Sequence, residues 1–303
     1  MKYNQIPKTD LSVSPICLGT MTFGTPVSQS EAVKIVHWAV ENGVNFIDTA
    51  NMYEGYTRYI GSPGGIAEQI LGEALKGRRK QAIVATKVGM KIGDGPDDEG
   101  TSPAAIQKQI DRSLKRLATD YVDIYYLHKP DPEVPLADIA GAMQTVIQQG
   151  KVRFYGISNY SADQTAALLK AADDADLPRP VIHQPPYSLL KPDVAQDLLP
   201  LCARESIAAA PYQVLQGGML TGKYKRGQAA PQGSRKQEKE SWVPDFSDKL
   251  FDQVEQLQAA AAAEGRPIME HALRETLGLP AVVALITGVK RIDQLEALVK
   301  AVS

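Results

Sequence analysis

Cysteine is nearly absent. Cys17 and Cys202 are the only two among 303 residues, and both sit in apolar context. That excludes a disulfide framework and thiolate zinc spacing, and suits a reducing cytoplasm. Long apolar runs are missing too. No stretch approaches the ~18 residues that a bilayer-spanning helix needs. The start, Met1-Lys2-Tyr3-Asn4, has no apolar core of a signal peptide. Nor is there an excess of one charge: 33 Lys and Arg face 35 Asp and Glu, a net −2. This argues against a nucleic-acid partner or a polybasic membrane contact. A phosphate-bearing ligand would need a local cluster of cations. Histidine is scarce as well. His37 and His271 read as helix positions and His183 as a strand position, with no carboxylate at ligand spacing, so no metal is expected. No G-x-S-x-G occurs, which counts against a serine nucleophile.

What is present is alternation. A polar turn, Pro7–Asp10, predicts a hairpin within residues 1–14 that plugs the bottom of the remaining fold. Apolar runs then predict strands at Ile16–Thr20, Asn45–Ala50, Ala82–Val88, Val122–His128, Val152–Ser158, Pro180–Gln184, Ile207–Tyr212 and Val282–Gly288. Helical periodicity falls between them: Gln29–Asn42, with Ala32, Val36, Ala39 and Val40 inward, Ala67–Lys76, Pro103–Ala118 and Leu136–Gln149. A helix capped by Ser161 comes next, then Asp193–Arg204, Asp248–Ala263, Pro267–Leu277 and Ile292–Lys300. Ser102 before Pro103 is an N-cap signature, and Gly43, Gly77 and Gly150 are stops.

Strict alternation implies right-handed crossovers and a parallel sheet. Eight repeats imply a closed (β/α)8 barrel, the TIM-barrel architecture, filling residues 1–303 as one domain. The rival, a doubly wound open sheet, would carry G-x-G-x-x-G after its first strand. Gly19, Gly24 and Gly43 lack that spacing. Two connections are long: Asn51–Gly65, and Gly217–Ser247 after strand seven, which holds Lys223, Lys225, Arg226, Arg235, Lys236 and Lys239. Segments of this kind are usually functional or disordered.

The carboxyl ends of barrel strands build the site. Asp48, Lys87 and His128 end strands two, three and four, and Tyr53 lies five residues past Asp48. A lysine inside an apolar strand must find a partner, and Asp48 is one strand away. A phenol beside an ammonium has its phenolate favoured, so Tyr53 is expected below the ordinary pKa of ~10. Such a phenol could protonate a carbonyl oxygen that takes up hydride, with His128 orienting the carbonyl. None of these groups delivers hydride, so a cofactor must. Each residue also has a plainer reading: a structural ion pair, a core histidine, a packing tyrosine. Their joint placement favours chemistry.

Eight pieces in register carry a resemblance: LGTMTFG (Leu18–Gly24), NFIDTANMY, ATKVG, YLHKPDP (Tyr126–Pro132), KVRFYGISNY, HQPPYS, GGMLTGKY and ITGVKRIDQL. Over nearly its whole length the chain resembles the aldo-keto reductase family. The resemblance implies a tetrad of Asp48, Tyr53, Lys87 and His128 with Tyr53 as the acid. It implies an NADP(H) cofactor and a small carbonyl or alcohol substrate, with hydride moving between nicotinamide and an aldehyde or ketone. Ser158, Asn159 and Gln184 would bond the nicotinamide carboxamide, and Tyr212 would stack on the ring. Gly19, Thr20, Met21 and Leu215 would also contact the cofactor. Gly217, Gly218, Gly222 and Lys223 would wrap the pyrophosphate, while Gly288, Lys290, Arg291 and Gln294 would hold the adenosine ribose. Lys290 and Arg291 at a helix start suit a 2′-phosphate. The plainer reading makes Ser158-Asn159 an N-cap pair and Lys290-Arg291 an exposed helix face.

Three features depart from the family pattern. Strand seven leads into Tyr212-Gln213-Val214-Leu215 where Tyr-Ser-Pro-Leu is usual. Ala297 and Leu298 replace an acid–amide pair that grips adenine. With Ser303 close behind the last helix, the C-terminal loop that covers the substrate in many relatives is not expected here. Specificity is therefore expected from Gly24–Ser28, Asn51–Gly65, Gly89–Thr101 and Gly217–Ser247. A second class of function stays open: a nicotinamide-binding, redox-sensing regulatory subunit on the same fold.

Overall fold

A computed structural model describes residues 1–303. The chain opens with a hairpin, β1 (Asn4–Gln5) paired antiparallel with β2 (Ser12–Val13). Ten helices and eight further strands come after it. The strands are β3 (Ile16–Gly19), β4 (Phe46–Asp48), β5 (Ile83–Val88), β6 (Val122–Leu127), β7 (Val152–Ser158), β8 (Ile182–Gln184), β9 (Ala208–Ala209) and β10 (Leu285–Gly288). All pairings among them are parallel, in the order β10-β3-β4-β5-β6-β7-β8-β9. The two ends of that row meet. Ala209 bridges Val282, Ala209 N donates to Ala281 O at 2.7 Å, and Val283 N donates to Ala209 O at 2.9 Å. The sheet therefore closes into a barrel.

The crossover helices are α1 (Gln29–Glu41), α2 (Ile66–Ala74), α3 (Pro103–Leu117), α4 (Leu136–Gln148), α5 (Ala162–Asp174) and α6 (Leu198–Glu205). After them come α7 (Arg235–Glu238), α8 (Asp248–Ala263), α9 (Ile268–Leu277) and α10 (Ile292–Val302). The caps agree with the sequence. The Ser102 hydroxyl accepts from Ala105 N with Pro103 in the first turn. Ser161 and Gln164 form a reciprocal capping box.

Some boundaries differ from expectation. Strand seven shrinks from Ile207–Tyr212 to β9, because Pro211 has no N–H to continue the ladder. Tyr212 still bridges Pro186. The helix expected from Asp193 begins as a separate turn, Asp193–Ala195. The α-helix proper starts at Leu198, where the Asp197 carboxylate takes the Leu198 N–H at 2.6 Å. On α1 Ile35 joins the fully buried face, while Val40 packs against the core only partly buried.

Alternation along each strand sorts side chains into two layers. Val84, Ile47, Leu18, Tyr125 and Ile157 face outward against the helices. Cys17, Phe46, Ala85, Ile124, Ile182, Ala208 and Ile286 fill the barrel. The hairpin contributes Ile6, Leu11 and Val13 to that inner cluster, all buried, so it closes the amino-terminal end as anticipated. The strand residues two positions beyond the inner fillers share their parity and reach the opposite end. They are Gly19, Asp48, Lys87, Gln184 and Gly288. His128, one residue past β6, and Ser158, the last residue of β7, continue the same parity.

Candidate functional site

Lys87 lies at the carboxyl end of β5, wholly buried. An ammonium has three protons, and each finds an oxygen. Nζ donates to Asp48 Oδ2 at 2.5 Å, to Thr49 O at 2.7 Å and to Tyr53 OH at 3.4 Å. Asp48, buried on β4, also accepts from Gln184 Nε2 at 2.8 Å. Tyr53 is half-buried in the loop after β4. Its backbone is pinned at both ends: N donates to Ala50 O and O accepts from Ala67 N, each at 3.0 Å. His128 stands one residue past β6, its N–H on Val88 O at 2.8 Å. Its ring meets that of Tyr53 edge-on, centroids 6.1 Å apart. The structure thus brings Asp48, Tyr53, Lys87 and His128 together at one rim.

Electrostatics result from this packing. Burial pulls the Lys87 pKa down, but Asp48 and Tyr53 outweigh it, so the ammonium is held above its ordinary range. Burial pushes the Asp48 carboxyl up, against Lys87 and Gln184. The expectation for Tyr53 is corrected. Its pKa is raised, because loss of water exceeds the pull of Lys87, and the negative charge of Asp48 adds to the rise. Burial drives the His128 imidazole far below its ordinary value, helped by Lys87, Arg58 and Lys129. The ring is therefore neutral at physiological pH, and its Nδ1 is buried without a protein partner.

The remaining rim residues form a chain of hydrogen bonds. Ser158 Oγ donates to Gln184 O at 2.8 Å, Asn159 Nδ2 to His128 O at 2.8 Å, and Tyr212 OH to Asn159 Oδ1 at 2.8 Å. Asn159 is not the N-cap of α5; Ser161 is. Thr20 is buried, with both N and Oγ1 donating to Asp48 O. Met21 is half-buried in the adjoining turn.

A second cluster gathers where the long connection after β9 crosses toward α10. Leu215 O accepts from Gly218 N at 2.8 Å. Gly217, Gly218 and Gly222 have φ of 65°, 99° and 77°. At Gly218 a Cβ would sit 2.6 Å from Lys223 Nζ, so only glycine lets that ammonium lie over bare backbone. Partial desolvation, then the cations Lys290 and Arg235, depress the Lys223 pKa. Lys290 Nζ bonds Gly233 O at 2.9 Å and the Glu238 carboxylate. Arg291 pairs with Asp293 at 2.9 Å, and Gln294 Oε1 accepts from Lys290 N at 2.8 Å. Gly288 is exposed at the end of β10. Of the two cations expected for a 2′-phosphate, each already has a carboxylate. Leu298 is buried in the core and Ala297 is exposed.

Sequence reasoning missed two participants. Trp242, in the same connection, packs edge-on against Tyr56 of the loop after β4, centroids 5.4 Å apart. Arg58, bonded to Ser62 and to Lys91 O across the mouth, adds its charge to those that keep His128 neutral, and only its place in the Gly- and Tyr-rich loop hinted at this. Elsewhere, Glu264 just past α8 comes together with His271 and Glu275 of α9, their ligand atoms within 4.8 Å. Arg266 pairs with Glu264 there, at 3.1 Å.

Residues 15–303 match the Aldo/keto reductase family. A probable voltage-gated potassium channel subunit beta of Arabidopsis thaliana is 34% identical, covering 100% of this chain and 91% of that protein. An uncharacterized oxidoreductase of Bacillus subtilis is 33% identical over the same shares. An L-glyceraldehyde 3-phosphate reductase of Escherichia coli is 30% identical, covering 100% and 88%. Among solved structures, glycerol dehydrogenase of Gluconobacter oxydans superposes with a TM-score of 0.82 at 26% identity, covering 100% of this chain and 90% of that one. With its closed (β/α)8 barrel and this rim of Asp, Tyr, Lys and His, the chain belongs to the aldo/keto reductase family.

Proposed function

We propose that this protein is an NADP(H)-dependent oxidoreductase that interconverts an aldehyde or ketone with its alcohol, with Tyr53 as the acid and base. The observation that carries the proposal is the Tyr53 hydroxyl 3.4 Å from Lys87 Nζ, beside a neutral His128. When bound, the nicotinamide supplies or accepts the hydride. Every other part belongs to the chain. The raised pKa keeps the phenol protonated at neutral pH, so it holds the proton that a reduced carbonyl needs. As that proton leaves, Lys87 faces the developing phenolate. Asp48 keeps the lysine charged and in place. Neutral His128 can hydrogen-bond the substrate oxygen. Ser158, Asn159 and Gln184 would hold the carboxamide and Tyr212 the ring face. Gly217–Lys223 and Lys290 would hold the phosphates. Lys223, which has no carboxylate partner, is the cation that an anion would satisfy best. The two free, buried cysteines support a cytoplasmic setting.

Assay of the purified protein with NADPH and a panel of aldehydes tests this. Turnover should fall about a hundredfold to ten-thousandfold in Tyr53→Phe while cofactor binding is kept, since general acid catalysis is worth roughly 10²–10⁴. An unchanged rate would place the acid elsewhere. A second reading draws on the relatives described as potassium channel beta subunits from Arabidopsis thaliana and Oryza sativa. Tight NADPH binding with no turnover on any aldehyde would favour a nicotinamide-sensing regulatory role.

A further inference from the structure

Arg58 lies five residues past Tyr53, in the loop between β4 and α2. Its half-buried guanidinium is fixed by three bonds. Nη1 donates to Ser62 O at 3.2 Å and Ser62 Oγ at 2.6 Å, and Nη2 to Lys91 O at 2.5 Å. All three acceptors are neutral. The bonds tie the loop after β4 to the loop after β5, so the group is held rigidly at the mouth. A guanidinium has five N–H donors. Nε–H and one N–H of Nη2 are left without protein partners.

Its charge has no carboxylate in direct contact. The neighbouring cations are matched: Lys91 with Asp94 at 3.0 Å and Lys129 with Glu99 at 3.1 Å. Arg58 forms no such pair. Glu54 reaches it only through the Ser62 hydroxyl, which donates to Glu54 Oε1. Burial lowers the Arg58 pKa, with Glu54 opposing, as expected for a cation short of a counter-charge. Both loops leave the carboxyl ends of the strands that carry Asp48 and Lys87, so Arg58 stands at the mouth of the carbonyl site, and the His128 imidazole feels its charge. A planar fork with free donors, preorganised and incompletely neutralised, suits a carboxylate or phosphate.

We propose that Arg58 forms an anion-binding subsite at the mouth of the carbonyl site, and that the substrates are small aldehydes or ketones bearing a carboxylate or a phosphate. This rests on the carbonyl-reductase reading of the same site.

The test compares two pairs of aldehydes with NADPH: succinic semialdehyde against butanal, and glyceraldehyde 3-phosphate against glyceraldehyde. The wild-type protein should favour the charged member of at least one pair by about tenfold or more in kcat/KM. That ratio should shrink as salt rises. Preference in only one pair identifies the anion. Arg58→Gln should collapse the ratio, mostly through KM, and Arg58→Lys should restore part of it. A wild-type ratio near one in both pairs overturns the subsite while leaving the reductase reading intact. So does an Arg58→Gln protein that slows both members equally, which would mark Arg58 as a staple between loops. The wild-type ratio and its salt dependence decide the matter even if the glutamine variant fails to fold. No turnover of any of the four aldehydes would overturn both readings.

Discussion

The Tyr53 phenol is pulled two ways, and magnitudes decide the outcome. Proximity to an ammonium favours the phenolate, which is legible from sequence once Lys87 and Tyr53 are placed on one rim. Loss of water disfavours it, and that depends on how the loops after β4 and β5 pack, which no local pattern records. Burial wins for Tyr53, and it wins more completely for histidine. His183 is buried inside β8 with Nε2 near Tyr160 O at 3.2 Å. Burial brings its pKa down to about 4, partly offset by that carbonyl. Linkage sets the sign. The unfolded chain protonates this ring near pH 6.5 and the folded chain does not. Stability from the neutral ring is therefore complete above that pH and is lost as pH falls toward the folded value. Between pH 6.5 and 5 the loss from this residue is about 1.5 kcal/mol. Urea unfolding of wild type and His183→Gln at the two pH values should show the variant losing less stability by that amount. Parallel pH profiles would mean that the ring is not buried neutral.

Among elements, the helices read most directly. Serine caps at Ser102 and Ser161 fix the starts of α3 and α5 to the residue, and glycines at 43, 77 and 150 fix where α1, α2 and α4 stop to within a few residues. Short strands were harder. β8 and β9 have three and two residues, because prolines at positions 180, 185 and 211 interrupt the ladder on either side. The connection from β9 to α8 was legible only as long, cationic and glycine-bearing. Its path depends on contacts far apart in sequence: Trp242 on Tyr56, and Lys290 on Glu238 and Gly233 O. Lys290 thus has an observed role as anchor for this connection and a proposed one as ligand of a 2′-phosphate. Lys290→Met should raise KM for NADPH roughly tenfold and change KM for NADH much less, as expected for loss of one charge-assisted bond. Equal effects on both cofactors would assign Lys290 to the anchor alone. A wild-type preference for NADH would remove the 2′-phosphate as its ligand.

For the whole molecule, the count of eight alternating units was enough to predict a barrel, since an open sheet of that order would leave edges exposed. What the count could not show is how narrow the closure is: one bridge, Ala209 to Val282, with a few backbone bonds around it. Period-two alternation then divides labour between the two ends. Inner positions near the strand starts are apolar and covered by the hairpin. Inner positions near the strand ends carry Asp48, Lys87 and Gln184. Stability and chemistry are thereby separated along the barrel axis, and a substitution at the plug can show whether they are independent. Ile6 is fully buried among the barrel fillers, so Ile6→Ala should destabilise by about 2–4 kcal/mol through lost burial and a residual cavity. The midpoint of urea unfolding should fall accordingly. Under native conditions the affinity for NADPH, read by fluorescence quenching, should stay within about twofold, because packed sites well separated with no shared partners act additively. A large loss of NADPH affinity in folded Ile6→Ala would show that the hairpin sets the shape of the mouth through the barrel interior.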